Sequence, residues 1–237
     1  MFYIKIAELV IEVQNIYPFV QDFCRDYITA PTEIPDMIIT TTGEEIQRVL
    51  ALEEVSMTAD HAEGLCIYKK ICTELPKKFQ GFLMHCAVIE YEGKGYAFAA
   101  PSGTGKTTHI RLWRKRFGDK VHVINGDKPI MRFNPKGHLI AYGTPWCGKE
   151  GYQTNDSVPV KAICFVERSE ENWIRPLLPK EAISKIFQQL LTPADLETVD
   201  ALFPMLEKTL CEIPCYALGC NISEEAAEVA YWGMNKC

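Results

Sequence analysis

Apolar residues in the first third of the chain form short runs typical of strands and longer stripes typical of helices. Residues 3–13 predict one strand or two short ones, and Met37–Thr40 predicts another. Helical spacing appears in three stretches, which are 16–27, 43–54 and 61–75. No strong linker follows them, and we place a domain boundary near residue 78. We therefore expect a small N-terminal α+β subdomain over residues 1–78.

The remaining residues, 79–237, predict a larger domain rich in strands. Residues 82–91 predict one strand, and the turn 92–95 is short enough to join it to a returning strand, 96–100, as an antiparallel hairpin. The other predicted strands are 120–124, 130–133, 139–142, 160–167, 173–178 and 213–218. The predicted helices are 107–117, 181–191, 193–210 with a break near Pro204, and one capped by Ser223. Hairpins mixed with crossover helices predict an α/β fold whose sheet is mixed and largely antiparallel.

A loop of small residues separates the returning strand from the helix that starts near Thr107. The sequence there is an apolar strand followed by PSGTGKTT. Strand, glycine loop and helix N-terminus form the context of a phosphate-binding loop, in which backbone N–H groups and the helix dipole attract an anion. Ala100 stands where such loops usually have a first glycine, which is a mild departure. We predict that nucleotide phosphates are bound by Ser102, Gly103, Thr104, Gly105, Lys106, Thr107 and Thr108.

A magnesium-dependent site of this kind needs a second oxygen ligand besides the loop hydroxyl of Thr107. Asp127 follows the apolar strand 120–124 and is the candidate. The alternative is an ordinary turn aspartate in Asn-Gly-Asp. His85 is predicted in mid-strand, where a core histidine is an equal alternative. The hypothesis requires Asp127 and His85 to lie near the amine of Lys106.

Three basic residues, Lys128, Arg132 and Lys149, are candidates for contacts with an acidic substrate or a phosphate. Lys128 and Arg132 follow Asp127 and are also compatible with ordinary surface charges. Lys149 ends the loop GTPWCGK, where Trp146 either takes part in recognition or packs into the protein.

Composition restricts the range of partners. The 237 residues are 47% hydrophobic with a net charge of −6, which argues against a nucleic-acid-binding surface. No apolar run reaches the ~18 residues of a membrane span, and the N-terminus does not resemble a signal peptide. We therefore expect a cytoplasmic protein, with no membrane partner, whose ten cysteines are reduced. Cys211, Cys215 and Cys220 weakly suggest zinc but lack the paired spacing of structural sites.

The segment 84–108 resembles the core of the HPr kinase/phosphorylase family, whose P-loop fold is shared by ATP-dependent phosphoenolpyruvate carboxykinase. In that family a histidine strand, a turn and a returning strand lead into the phosphate-binding loop. Residues 143–146 and 215–221 are similar to an uncharacterised bacterial kinase-like branch. The resemblance covers 82–235, and the chain is too short for a carboxykinase.

This resemblance implies an ATP-dependent, Mg²⁺-assisted kinase that phosphorylates a hydroxyl of a protein or peptide serine or of a small molecule. Lys106 and Thr107 would hold phosphate and metal, and His85 would act near the γ-phosphate. Asp127 would match one of the family's two acids, whereas Gly126 occupies the position of the other. A single acid leaves three alternatives. Either Asp127 both holds the metal and accepts the proton, or His85 accepts the proton. In the third, the chain is a non-catalytic nucleotide-binding regulatory or accessory module. The resemblance also implies that a homo-oligomer could form.

Overall fold

The computed structural model describes residues 1–52, 57–191 and 195–236. Within these ranges the strands are β1 (Phe2–Ile6), β2 (Leu9–Gln14), β3 (Met37–Thr40), β4 (Gly81–Leu83), β5 (Cys86–Tyr91), β6 (Lys94–Ala99), β7 (His122–Asn125), β8 (Ile130–Phe133), β9 (Leu139–Tyr142), β10 (Ser157–Arg168), β11 (Trp173–Pro176) and β12 (Cys215–Cys220). The α-helices are α1 (Pro18–Phe23), α2 (Gly43–Leu52), α3 (Ala59–Lys78), α4 (Lys106–Phe117), α5 (Pro179–Phe187), α6 (Leu196–Glu212) and α7 (Glu225–Asn235). Short 3₁₀ turns follow α1 and α4 at Arg25–Tyr27 and Gly118–Lys120.

The first three strands form a small sheet against which the long helix α3 packs. β1 and β2 make an antiparallel hairpin, and β3 lies parallel to β2. The α3 side chains Ile67, Ile71 and Leu75 share one buried hydrophobic cluster with this sheet. The cluster continues into β4, β8 and β9, so the N-terminal elements pack directly on the larger sheet. Residue 78, the predicted domain boundary, is the last residue of α3, and the division into two domains stays a prediction.

Strand β10 is the centre of the larger sheet. Residues 157–159 pair antiparallel with β9, and residues 163–168 pair parallel with β12 on the same edge. β6 lies parallel along the opposite edge over residues 160–165, and β5 and β7 follow it. Among the described strands of this sheet, antiparallel pairs outnumber parallel ones, and the predicted mixed α/β fold is confirmed.

Strand β6 is buried on both faces and carries the chain into the glycine loop. It forms an antiparallel hairpin with β5. Tyr96 and Phe98 face a hydrophobic cluster that includes residues of α4 and α7, and Ala97 and Ala99 face the cluster that contains α6 residues. A Cβ atom on Gly95 would lie 2.7 Å from Val158 Cγ1, so glycine permits the close approach of β6 to β10. The loop after β6 therefore starts from a rigid, fully packed strand.

Three local predictions are wrong. The strand predicted over 82–91 is two strands, because β4 pairs with β8 whereas β5 pairs with β6, and His85 lies at the break between them. Helix α6 runs through Pro204 without a break, because Leu202, Met205 and Leu206 on either side are anchored in the core. Ser223 is not the cap of α7, since its hydroxyl bonds to Asn221 Oδ1 at 2.6 Å. The predicted extension of a helix to residue 54 and the predicted helix start at residue 193 lie outside the described residues.

The structure also bears on membrane and metal binding. No helix in the described ranges is both long and apolar enough to cross a lipid bilayer. The described residues contain no group of three or more His, Cys, Asp or Glu side chains that could hold a metal ion. Cys211, Cys215 and Cys220 are therefore not brought together as a zinc site, and all described cysteines are free thiols.

Candidate functional site

The loop predicted to bind phosphate connects β6 to α4. Gly103 and Gly105 have φ angles of 77° and 129°, in the region that favours glycine. The N–H group of Thr104 donates to the carbonyl of Pro101 at 3.2 Å and closes the turn. Helix α4 then begins at Lys106 with no capping side chain and no acidic residue in its first turn. Its first N–H groups and the positive end of its dipole therefore remain suited to an anion.

Arg168, the last residue of β10, holds this loop from the side. Its Nη2 donates to the carbonyl of Gly103 at 2.6 Å, and its Nε donates to the carbonyl of Thr104 at 3.3 Å. Because a trans peptide directs its N–H opposite to its C=O, the N–H of Gly105 points away from Arg168. Arg168 was not among the residues predicted from the sequence. The available signal was an arginine just after the predicted buried strand 160–167.

The side chains of Lys106, His85 and Asp127 meet at the end of the loop. Lys106 Nζ lies 3.0 Å from His85 Nε2 and donates to the carbonyl of Ala100 at 2.9 Å. His85 Nε2 lies 3.1 Å from Asp127 Oδ1, and Lys128 Nζ lies 3.3 Å from Asp127 Oδ2. The structure thus brings together the three residues whose proximity the sequence hypothesis required.

Pairing between three adjacent strands explains this convergence. Cys86, the residue after His85, lies opposite Ala99 at the end of β6. Val88 of β5 lies opposite Asn125 at the end of β7, two residues before Asp127. The ends of β6 and β7 and the start of β5 therefore share one edge of the sheet, where the loop also begins.

Asn125 and Thr144 hold the turn that carries Asp127. Asn125 Oδ1 accepts from the N–H groups of Asp127 and Lys128 at 2.8 and 2.7 Å, which is an Asx turn. The Asn125 amide donates to the Thr144 carbonyl at 3.0 Å, and the Thr144 hydroxyl donates to the Lys128 carbonyl at 2.7 Å. Both Asn125 and Thr144 are fully buried. Both readings of Asp127 therefore hold. Its backbone belongs to a turn, and its carboxylate contacts His85 in the site.

Burial and neighbouring charges shift the pKa values of two site residues. Burial lowers the pKa of the Lys106 ammonium, and the Asp127 carboxylate opposes this effect. Burial tends to raise the pKa of Asp127, but the hydrogen bond from His85 and the charge of Lys128 outweigh it, and the pKa is lowered. The carboxylate of Asp127 is therefore ionised at neutral pH.

Gly126 occupies the position where the resemblance would place a second acid. A Cβ atom there would lie 2.9 Å from the Cys147 carbonyl oxygen and 3.1 Å from Tyr152 Cβ. The N–H of Gly126 also donates to the Tyr152 carbonyl at 2.8 Å. The backbone of the loop after β9 thus fills the space that an acidic side chain would need.

The three predicted acceptor contacts have different positions. Lys128 lies at the site and contacts Asp127. Arg132 does not face the site, because its guanidinium donates to the carbonyls of Phe79 and Ala7 at 2.9 and 2.7 Å. Lys149 is exposed on a turn beside Gly148, and it stays a prediction.

Trp146 packs into the protein. Only 7% of its surface is exposed, and its ring lies 5.1 Å from the ring of Tyr68 and 6.1 Å from that of Phe23. The Tyr68 ring is also 5.7 Å from Lys128 Nζ. Trp146 therefore joins the N-terminal helices to the loop beside Asp127.

A cavity of about 400 Å³ adjoins the glycine loop. Its walls are loop residues 103–105, the first turns of α4 and the ends of β10 and β12. Apolar side chains such as Leu112 and Ile222 alternate there with polar ones such as Asn221. Its volume and mixed lining fall within the usual range for small-ligand sites.

A second cavity, of about 510 Å³, lies between α2, α3 and residues 190–191. It is mostly apolar, and Tyr68 forms part of its wall. The Tyr68 ring also lies 5.7 Å from Lys128 Nζ, so one wall residue of this cavity neighbours the turn that carries Asp127.

Comparison with known proteins identifies a family and distantly similar solved structures. A family model described as "SynChlorMet cassette protein ScmC" matches residues 54–228, well over half of the chain. A solved structure of the Hpr(Ser) kinase/phosphatase from Coxiella burnetii is similar at 9% identity, with 64% of this chain and 97% of that chain covered and a TM-score of 0.36. No curated protein sequence matches.

Proposed function

The chain belongs to the family of SynChlorMet cassette proteins ScmC, and we propose that it is an ATP-dependent, Mg²⁺-assisted kinase. In this proposal it transfers the γ-phosphate to a hydroxyl group of a protein or peptide serine or of a small molecule. The observation that supports this best is the meeting of Lys106, His85 and Asp127 beside a glycine loop and an uncapped helix N-terminus.

The loop and its neighbours would bind the nucleotide. The N–H groups at the start of α4 and the Lys106 ammonium would hold the phosphates, as in other glycine loops followed by a lysine. Arg168 would keep the loop open by holding its carbonyl groups on the opposite side. The adjacent cavity of about 400 Å³ has room for the nucleoside.

Magnesium would be held by the Thr107 hydroxyl and the Asp127 carboxylate. Both are hard oxygen donors, and Mg²⁺ commonly takes only one or two protein ligands together with substrate phosphates. The donor set therefore fits this ion. Lys128 Nζ lies 3.3 Å from Asp127 Oδ2 and would have to move aside for the ion. When bound, Mg²⁺ neutralises charge on the phosphates.

Asp127 is the residue best suited to accept the proton of the attacking hydroxyl. Its carboxylate is ionised, and one of its oxygens is held by His85. Lys106 would stabilise charge that develops on the transferred phosphoryl group. Since phosphoryl transfer depends mainly on positioning and charge neutralisation, one carboxylate in place of two is compatible with turnover.

The acceptor would approach from the side of Lys128 and Tyr68. Tyr68 forms part of the wall of the cavity of about 510 Å³. Of the residues that the structure describes, Arg48, Lys69 and Lys70 line it together with one acid, Glu45, which pairs with Lys70 at 2.8 Å. This lining suits an acceptor with an apolar group next to negative charge.

Single-turnover assays with γ-labelled ATP and candidate acceptors test the proposal. Labelled acceptor is the expected product, and Lys106→Met should abolish it. The alternative, a nucleotide-binding accessory module without turnover, is favoured by one observation, the packed Gly126 where a second acid would stand. Tight ATP binding together with no label on any acceptor would support that alternative and reject the kinase.

A further inference from the structure

Gln189 lies behind His85, on the side away from Asp127. It follows α5, and its side chain is almost fully buried. Its backbone carbonyl accepts from the N–H of His85 at 2.7 Å. The turn after α5 is therefore fastened directly to the break between β4 and β5, where His85 lies.

Two backbone carbonyls fix the orientation of the Gln189 amide. With its nitrogen turned toward the site, the amide lies 3.1 and 3.3 Å from the carbonyl oxygens of Ala100 and His85 and 3.2 Å from His85 Nδ1, and its two hydrogens are shared among these three acceptors. The opposite orientation would place the amide oxygen against these two carbonyl oxygens, which only accept hydrogen bonds. The hydrogen-bond network thus assigns the nitrogen to this side.

This orientation determines the tautomer of His85. Nδ1 faces the amide nitrogen of Gln189 and accepts a hydrogen bond from it, so it carries no proton of its own. A neutral imidazole carries one proton, which must then lie on Nε2. From Nε2 it is donated to Asp127 Oδ1 at 3.1 Å.

In the same tautomer, the Lys106 ammonium makes no hydrogen bond to His85. A protonated Nε2 cannot accept from Lys106, although the two nitrogens are 3.0 Å apart. The ammonium is held by the Ala100 carbonyl at 2.9 Å. Lys106 is therefore free to turn toward a phosphate without breaking a bond to His85.

We propose that Gln189 is a positioning residue that holds His85 as the Nε2–H tautomer, so that His85 orients Asp127 and does not act as the base. The catalytic consequence rests on the proposed kinase function, whereas the tautomer does not. Gln189 lies within a predicted helix, 181–191, and nothing in its local pattern distinguished it.

The tautomer can be measured directly by ¹⁵N NMR of the full chain labelled at histidine. The His85 signals are assigned by their loss in His85→Asn. We expect an unprotonated Nδ1 and a protonated Nε2 in the wild type. A proton on Nδ1 of His85 in the wild type would overturn the proposal, whether or not the protein proves to be a kinase.

Variants at position 189 give a second test of the tautomer. Gln189→Glu replaces the donor with an acceptor and should move the His85 proton to Nδ1, whereas Gln189→Met should give a mixture of tautomers. His109 is an internal control for folding, because its Nε2 accepts from Trp113 Nε1 at 2.9 Å and its own proton belongs on Nδ1. An unchanged His85 tautomer in both variants, with native His109 signals, would also contradict the proposal.

Kinetics then test the consequence for transfer. Gln189→Glu should lower kcat by about 10²-fold through misplacement of Asp127, with the KM for ATP nearly unchanged. If transfer is absent in the wild type but the tautomer is as expected, only the kinase function fails. If transfer occurs and kcat is unaffected by the tautomer shift, His85 does not orient Asp127.

Discussion

His85 Nε2 and Asp127 Oδ1 are 3.1 Å apart, although one residue lies just before β5 and the other just after β7. Their contact depends on β5 pairing with β7 and on the break that separates β4 from β5. It leaves Oδ2 of the carboxylate facing Lys128. His85 thus orients the carboxylate through Oδ1, and the Lys128 ammonium neutralises its charge at Oδ2.

Replacing Asp127 should separate phosphate transfer from nucleotide binding. Asp127→Asn keeps the size of the side chain and removes the charge that would accept a proton and help to hold Mg²⁺. We expect single-turnover transfer to fall by about 10²- to 10⁴-fold, with a much smaller change in the Kd for ATP. Asp119→Asn, on the exposed turn after α4, is the control. A wild-type rate in Asp127→Asn would show that another group accepts the proton.

Lys106→Met should weaken nucleotide binding itself. A hydrogen bond from a charged donor contributes about 1.5–3 kcal/mol, so the Kd for ATP measured by calorimetry should rise about 10- to 100-fold. Lys115→Met removes a charge from the exposed last turn of the same helix and should leave the Kd unchanged. Equal effects of the two variants would mean that the loop does not bind the phosphates.

Gly126→Ala should destabilise the protein, because the added Cβ would meet the Cys147 carbonyl oxygen at 2.9 Å. Overpacking of this kind costs about 1–3 kcal/mol, which urea unfolding would detect. The matched control is Gly64→Ala in α3, where a Cβ meets nothing within 4 Å and the protein should be at least as stable. Gly126→Asp adds more atoms and charge at the same point. It should therefore lower stability without raising activity.

His109 should make stability depend on pH. Burial lowers its pKa from 6.5 to about 3, so between these values the unfolded chain binds a proton that the folded chain does not. Stability is therefore lost as the pH falls below 6.5, by about 2 kcal/mol between pH 7 and pH 5.

His109→Gln should remove this loss of stability between pH 7 and pH 5, and the glutamine side chain still offers a hydrogen-bond acceptor to Trp113. The exposed His138→Gln is the control and should retain the pH dependence of the wild type. The measurement is the free energy of unfolding in urea at both pH values. The same loss of stability in His109→Gln as in the wild type would rule out His109 as its source.

The glycine loop could be predicted because its chemistry lies in consecutive residues, from Gly103 to Thr107. The hairpin before it could be predicted because a short turn joins two apolar runs. The orientation of Arg132, by contrast, could not be predicted, because the sequence does not show which face of β8 packs against the N-terminal elements. Arg132 lies two residues after Ile130 on β8, and alternation puts both on the face that packs against the N-terminal elements.

The roles of Arg168 and Gln189 could not be predicted either, because they depend on tertiary contacts. Each acts through contacts with residues far away in sequence, the loop carbonyls in one case and His85 in the other. Their own surroundings show only an arginine after a strand and a glutamine in a helical stretch. Strand order and the turn after α5 determine both contacts, and neither can be derived from local periodicity.

The central position of β10 has a consequence for the order in which the protein assembles. Its partners are β6 and β9 from earlier in the chain and β12, which ends at Cys220. During synthesis, β6 and the loop after it would leave the ribosome long before β10 and β12 could flank them. Pairings of such long range form late. We therefore expect the proposed nucleotide site to form only after nearly the whole chain has been made, so that an incomplete chain would not bind ATP.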